Sequence, residues 1–534
     1  MKKKTIEKNG HKTILNQGAM DRSIKQVCDI LRRDKAKGAR LYVPELTWML
    51  FLCHLDLFEI EQEQRSYALG RHYTPILDSP YRWRDWAAPF DKKKDMEEII
   101  THQEQGWKRC ELINKQFGAF LKFVNDTLFP HMMNMKKNPS ATHKQKIISE
   151  IFINKKNTIL NSENNLLDAI DKVYALSNSD IDNTHLFPIS QAFEGLLPSL
   201  GEKKNDGGQF FTPREVIRAI VKIVEPKIGK TIYDPCCGTG GFLIEAYKYL
   251  LTQDPTSTQL ESMKTESFWG REDADEVIPI LLANMVLHDI DLPHIWHGNT
   301  LTGKTLFGDL FHGAPNQFDF ILTNPPFGSK ESLSAQARFP YKSGKAQILF
   351  LQHIIDSLAP GGICGMVIDE GLLYHTKTKA YEQTKRKLLN ECELFCIISL
   401  PGGVFVNAGA GIKTDLLFFK KGKSTKKVWY YDMTLTEDMS PRRVNKGNPL
   451  LLDHFSDCIE RLSLPESHED RVSNWSWFIT REEIEAKNYD LKAVNTNSPD
   501  MSEKRSPKEL IDIILKSQEN IRNLISEFEK LGKH

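Results

Sequence analysis

The stretch TIYDPCCGTGGFLIEA, residues 231–246, decides the fold. It runs from a short β-rich segment ending in Asp234, through a turn carrying Gly238, Gly240 and Gly241, into an apolar helical segment. Glycines in such a turn permit positive φ and a close backbone approach to a ligand. A tight strand–helix turn would use the same residues, so a ligand site needs a second feature elsewhere in the chain. In nucleotide-binding α/β units an acidic residue ending the next strand holds ribose hydroxyls. FWGRE, 268–272, supplies Glu272 at that place. Asp234, Gly238, Thr239, Gly240 and Glu272 together read as a site for an adenosine-type cofactor.

The same alternation continues along the chain. ADEVIPILLANMVLHDI, FDFILTN, AQILFLQHIIDSLA, GICGMVID, LFCIISLP and TDLLFFKK alternate helical with β-rich character. Such alternation predicts an α/β fold: a mostly parallel sheet with helices on both faces. The block spans 186–425. Residues 1–185 read as a helical N-terminal domain, with apolar residues at 24, 27, 28, 30 and 31 near helical spacing. YTPILDSPYRWRDWAAPF, around 74–90, marks an irregular crossing, and 135–165 reads as a loop or a helix pair. A C-terminal extension covers 426–505. A C-terminal helix, 506–534, starts with Ser506 as N-cap and Pro507 at its first position. It carries Ile514, Ile521, Leu524, Phe528 and Leu531 as a heptad-like seam. That seam suits packing on the chain's own body and docking to another subunit equally well.

DFILTNPPFG, 319–328, ends a strand abruptly. Proline lacks the ladder N–H and fixes φ, so the strand stops at Pro325 and Pro326 and presents Asn324 and Phe327 at its carboxyl end. In an open α/β sheet, ligands bind at that end. A strand-ending turn explains the prolines but not Phe327. A chemical role explains all four residues. An exocyclic adenine amine is a poor nucleophile because its lone pair is delocalised into the ring. The Asn324 side-chain oxygen and the Pro325 carbonyl can accept its two hydrogens and draw the nitrogen toward tetrahedral geometry. Pro326 stiffens the turn, and Phe327 offers a face for an extruded base. A methyl group on a sulfonium would then be attacked in line, with catalysis by positioning and electrostatics. No metal is required.

Composition narrows the classes. Hydrophobic residues at 40% and charged residues at 26% fit a soluble globular chain. A net charge of +1 gives no global attraction to nucleic acid, so any such contact uses a local patch or a partner. The nine cysteines show no C-x-x-C spacing, which speaks against zinc sites and disulfide frameworks. Reduced thiols and a cytoplasmic location are the simple expectation. The N-terminus has no apolar signal region, and the strongly apolar run Trp48 to Cys53 is too short to cross a bilayer.

Three other motifs compete for a role. GNTLTGKT, 298–305, matches the P-loop pattern letter for letter, but LFGDLFHGAP after it is a poor helix. A loop closing a strand near the cofactor is the better reading. His294 and His297 lack an evident third ligand and read as packing or surface residues. YRWRDW, 81–86, reads as a packed crossing ahead of a DNA contact.

DPCCGTGGF followed by NPPF resembles the S-adenosylmethionine-dependent amino-methyltransferases of DNA, in the adenine-N6 branch with that motif order. More closely, the chain resembles the modification (HsdM) subunit of type I restriction–modification systems. CDILRR…ELTWMLFLCHLD is similar to that family's N-terminal domain, and KAQILFLQHIIDSLAPGGICGMVIDEG and LPGGVFVNAGAGIKTDLLFFKKG to its later catalytic segments. The resemblance covers roughly 20–430. It implies a Rossmann-like methyltransferase domain with S-adenosylmethionine as methyl donor. GQFFTPREV, 208–216, resembles the element cradling the donor's methionine part, which assigns Gln209, Phe210, Phe211, Thr212, Pro213 and Arg214 to cofactor binding. Asn324, Pro325, Pro326 and Phe327 would be catalytic. Where relatives often carry an aspartate in a GD-T-L element, this chain has Asn299, which can still accept a hydrogen bond near the cofactor.

The resemblance also implies partners: DNA, a separate specificity subunit, a second modification subunit and a restriction–translocase subunit, with no membrane. Residues 426–505 show no dense Arg/Lys/Asn face able to read base edges, in agreement with delegated recognition. Alternatives in other classes are a non-catalytic assembly or DNA-clamp subunit, and an amino-methyltransferase acting on RNA or on protein glutamine.

Overall fold

The computed structural model describes residues 17–34, 39–177, 212–405, 413–436, 440–445, 447–495, 497 and 507–531. At its centre lies one sheet in the order β10-β9-β7-β8-β6-β5-β1-β2-β3-β4. The strands are β1 Ile232–Asp234, β2 Phe268–Glu272, β3 His294–Asn299, β4 Lys304–Phe307, β5 Phe318–Thr323, β6 Leu358–Asp369, β7 Cys392–Ser399, β8 Thr414–Lys421, β9 Lys427–Asp432 and β10 Ser476–Thr480. Five of the nine strand pairings are parallel, and these include every pairing among β1, β2, β3, β5 and β6. From β1 the chain proceeds outward to β2 and β3, then returns to place β5 on β1's other side. The order therefore reverses between β1 and β5, and a crevice opens at their carboxyl ends.

Side chains alternate between the sheet's two faces, as the pleat requires. Phe320, Leu322, Leu416 and Phe418 enter one core with the helices Arg214–Val224, Gly241–Leu251 and Ile278–Leu287. Ile321, Leu417 and Phe419 enter a second core with Ala346–Ser357 and Lys379–Glu391. The first core continues without a break into the helical N-terminal region. There Trp48 stacks on Trp86 and meets Phe129 edge-on, with ring centroids 6.4 and 5.1 Å away. Burial of these aromatic faces is the main force holding that region together.

The helix Ala39–Ala68 is much longer than the run Trp48 to Cys53 suggests. Residues Leu41–Ala68 pass the length and hydropathy test for a membrane span, but 72% of the apolar window is buried inside the protein. It is the core helix of the N-terminal region. Residues 135–165 hold one well-formed helix, His143–Ile151, opened by a capping box between Thr142 and Gln145. Its apolar face, Ile147, Ile148 and Ile151, is short enough to escape a periodicity reading.

β9 and β10 lie beyond residue 425 and belong to the same sheet, β9 parallel to β7 and β10 antiparallel to β9. We propose to count them with the catalytic unit rather than with a separate extension. The helix Pro507–Leu531 stands with Ile514, Ile521 and Leu524 each more than half exposed (57, 56 and 57%). Ser506 lies outside the described residues.

Candidate active site

The crevice between β1 and β5 is assembled by short hydrogen bonds. β1 ends in Asp234, which is 1% exposed. Its Oδ1 accepts from Thr323 Oγ1 at 2.6 Å and from the Cys236 N–H at 3.0 Å. Thr323 is the last residue of β5, so this bond ties the glycine turn to the strand that delivers Asn324. Among the described residues the Asp234 Oδ2 is buried without a partner. Burial pushes the carboxyl up to about 7, against the hydrogen bonds from Thr323 and Cys236.

The glycine turn is shaped for an approaching ligand. Gly238 has φ +53°, and a Cβ built there meets no atom of the described residues within 4 Å, so among these residues the turn is open. Gly240 has φ +83°, and its missing Cβ leaves room for Leu281 at 2.8 Å. The Thr239 carbonyl accepts from Asn284 Nδ2 at 2.8 Å, which holds the turn on the helix Ile278–Leu287. Glu272 ends β2 and accepts from the Gly238 N–H at 2.8 Å and from the N–H groups of Asp273 and Ala274, both at 2.9 Å. Burial nevertheless raises its pKa. Asn299 ends β3. Its Oδ1 accepts from the Leu301 and Thr302 N–H groups at 3.1 and 2.9 Å, and its Nδ2 donates to Asp273 Oδ2 at 2.8 Å. An aspartate there would set two carboxylates against each other, so asparagine suits this chain's Asp273.

At the acceptor motif, Asn324 Nδ2 donates to Thr212 Oγ1 at 2.9 Å. The opposite atom, Oδ1, is buried without a partner among the described residues. Pro325 is buried, and its carbonyl lies 3.5 Å from Gln347 Nε2, at the limit of a hydrogen bond. Phe327 is 4% exposed and packs edge-on against Phe405, centroids 5.7 Å apart. Thr212, Pro213 and Arg214 begin the helix beside this motif. Gln209, Phe210 and Phe211 lie outside the described residues. Thr323, Asn284, Asp273 and Gln347 were not singled out from sequence. Each is an ordinary polar residue whose part is set by a partner far along the chain.

The competing motifs resolve as packing. GNTLTGKT is the turn between β3 and antiparallel β4, with Gly298 opposite Thr305. A single 3-10 turn, Asp309–Phe311, stands where a P-loop needs a long helix. His294 is bound through both ring nitrogens to the Leu310 and Thr265 carbonyls, at 3.1 and 2.7 Å. His297 lies between Glu150 at 3.4 Å and Asp275 at 2.9 Å. Burial opposes its charged form, but the bonds to Glu150 and Asp275 carry its pKa above the ordinary imidazole value. In YRWRDW, Trp83 and Trp86 are buried, Arg84 pairs with Asp56 and Glu63, both at 2.7 Å, and Arg82 pairs with Asp85 at 3.0 Å. Those arginines are neutralised within the fold.

A glycine turn, two strand-end acidic residues and an asparagine–diproline acceptor at the switch point define a Rossmann-like methyltransferase. The family model for N-6 DNA methylase matches residues 185–504, and that for the HsdM N-terminal domain matches 20–173. The EcoEI methylase subunit of a type I restriction enzyme from Escherichia coli is 32% identical over 88% of this chain and 89% of its own. The StySPI methylase subunit from Salmonella potsdam is 31% identical over 78% and 72%. A solved chain from a type I restriction–modification system superimposes with a TM-score of 0.70, at 32% identity, over 97% of this chain and 99% of its own. The chain belongs to the family of type I restriction–modification modification (methylase) subunits, which are adenine-N6-specific DNA methyltransferases.

Proposed function

We propose that this subunit methylates adenine N6 in DNA at Asn324, using S-adenosylmethionine, within a sequence read by a separate specificity subunit. The observation that carries the reading is the buried Asn324 Oδ1, left without a partner among the described residues while Thr212 holds the other end of the amide. A buried acceptor without a donor is costly, and an amine hydrogen would satisfy it.

The crevice fits an adenosine-type donor. Among the described residues Gly238 is open, Asp234 Oδ2 is available, and Glu272 stands at the neighbouring strand end. When bound, S-adenosylmethionine supplies the methyl group. Asn324 Oδ1 and the Pro325 carbonyl accept the hydrogens of the adenine amine and localise its lone pair. Pro326 keeps the turn rigid. Phe327 forms the apolar wall for the extruded base, a stacking worth roughly 1–3 kcal/mol.

The exposed seam Ile514–Ile521–Leu524 favours docking over packing on the chain's own body. We assign it to the specificity subunit, in an assembly with a second modification subunit and a restriction–translocase subunit in the cytoplasm. Labelled S-adenosylmethionine, DNA and the purified complex with its specificity subunit test the reading. Transfer to adenine N6 that is lost in Asn324→Ala is expected, and transfer unchanged by that substitution would sink the catalytic assignment.

A further inference from the structure

Directly after Phe327 the chain leaves the sheet as a hairpin, residues 328–345, and returns to start the helix Ala346–Ser357. Its two limbs meet where Lys330 stands opposite Lys345 in an antiparallel bridge. The Glu331 N–H donates to the Gly344 carbonyl at 2.9 Å, and the Ala346 N–H to the Ser329 carbonyl at 3.2 Å. The returning limb is clamped by Gln352. Its Oε1 accepts from the Tyr341 N–H at 3.1 Å, and its Nε2 donates to the Tyr341 carbonyl at 2.9 Å. Arg338 pins the hairpin to the β3–β4 turn by donating to the Leu301 carbonyl at 2.9 Å. At the tip, Ser332 caps the short helix Leu333–Gln336. Ala335 is buried beneath it, while Leu333 is 82% exposed. The hairpin is a braced arm with a leucine at its end.

The charges on this arm are arranged against its own stability. Like charges directly opposite each other on paired strands repel. Lys330, Lys342 and Lys345 are all exposed, and among the described residues none forms a close ion pair, although Lys345 lies near enough to Asp369 for its charge to act on that carboxyl. Elsewhere the chain pairs its lysines readily, as in Lys144–Asp291, Lys387–Asp356 and Lys421–Glu391, at 3.1, 2.7 and 2.7 Å. Glu331, the arm's sole acid, feels Asp273 instead, and burial together with that charge raises its pKa. An anion bound along the arm would relieve the repulsion. Lys330 follows Phe327 by three residues, and the returning limb leads into Gln347, whose Nε2 lies 3.5 Å from the Pro325 carbonyl, so the base of the arm sits beside the acceptor motif.

We propose that this arm grips the DNA strand next to the target adenine, with Lys330, Lys342 and Lys345 on backbone phosphates and Leu333 entering the stack where the base has left. The inference rests on the functional reading above. Phosphate contacts by lysine release counterions, and apolar wedges stabilise an unstacked step.

The test uses the full chain in complex with its specificity subunit. The DNA is a duplex carrying the methylated sequence, located by mapping N6-methyladenine in host DNA. Base extrusion is read on a copy with 2-aminopurine in place of the target adenine, and methyl transfer on the adenine duplex, since 2-aminopurine has no 6-amino group. In Lys330→Gln/Lys345→Gln the slope of log affinity against log salt should shrink by about 2, near 0.9 per lost phosphate contact. S-adenosylmethionine affinity should hold, and Lys330→Arg/Lys345→Arg should restore the slope. Leu333→Ala should keep the slope, lower the 2-aminopurine signal and slow methylation about tenfold, as loss of a positioning contact does. Transfer to DNA with an unchanged salt slope in the Gln pair overturns the arm assignment alone. So does loss of the restriction subunit's association with the slope intact, which would make the arm a protein-docking element. Absence of methyl transfer by the wild-type complex overturns the functional reading and the arm with it.

Discussion

Asn324 donates its side-chain N–H to the Thr212 hydroxyl at 2.9 Å, while its Oδ1 is buried with no partner among the described residues. The bond to Thr212 sets the direction in which Oδ1 points. An amide free to rotate would present Nδ2, a donor, to an amine that needs acceptors. Thr212→Ala should lower the methyl-transfer rate by about 10–100-fold through misorientation of Asn324. Thr212→Ser should recover most of the rate. A Thr212→Ala enzyme with wild-type turnover in single-turnover assays would show that the bond does not orient Asn324.

Asp234 makes stability depend on pH in a fixed direction. Its carboxyl lies at about 7 in the fold and near 3.8 as a free group, so the folded chain holds this proton across that window. Stability therefore falls as pH rises from 3.8 to about 7, and the loss stays constant above it. The size is a few kcal/mol, at roughly 1.4 kcal/mol per unit. Asp234→Asn should flatten that slope. Denaturant midpoints of both proteins at pH 5 and pH 8 check this, and an equal pH response in the two would refute it.

His297 joins the catalytic unit to the N-terminal region through Glu150, which also pairs with Lys136. Its pKa is raised in the fold, so its contribution is full below the free imidazole value of 6.5 and is lost as pH rises through the raised value. Thermal unfolding should show His297→Gln destabilised at pH 6, and by less at pH 9. A deficit that grows with pH would contradict the assignment.

The tail seam predicts a separable defect. Ile521→Asp with Leu524→Asp should leave the isolated chain within about 0.5 kcal/mol of wild type, since both side chains are exposed. Co-purification with the specificity subunit should fail. Normal complex formation by this variant would send the docking surface elsewhere.

Much of the site was legible because its chemistry is local. Asp234, Gly238 and Glu272 sit at strand ends, and hydrophobic alternation marks where strands end. The asparagine–diproline acceptor declares itself, since no strand continues through Pro325 and Pro326. The β3–β4 hairpin was harder to see. Its sequence satisfies a P-loop pattern, and only the antiparallel return at Lys304–Phe307 decides against it. The strands β9 and β10 were missed because each gains its place from pairing partners far along the chain.

By itself the sequence determined the kind of chemistry: a glycine turn after one strand, an acidic end on the next, and NPPF closing a later one. These are short-range facts about φ, missing N–H groups and strand termini. Tertiary structure decided which atoms meet. The Thr323–Asp234 bond at 2.6 Å spans residues 89 positions apart, and the Asn324–Thr212 bond spans 112. No periodicity encodes such pairings. They arise from the reversal of strand order between β1 and β5, which hydrophobic burial on both sheet faces enforces and which brings a distant hydroxyl to Asp234 and to Asn324.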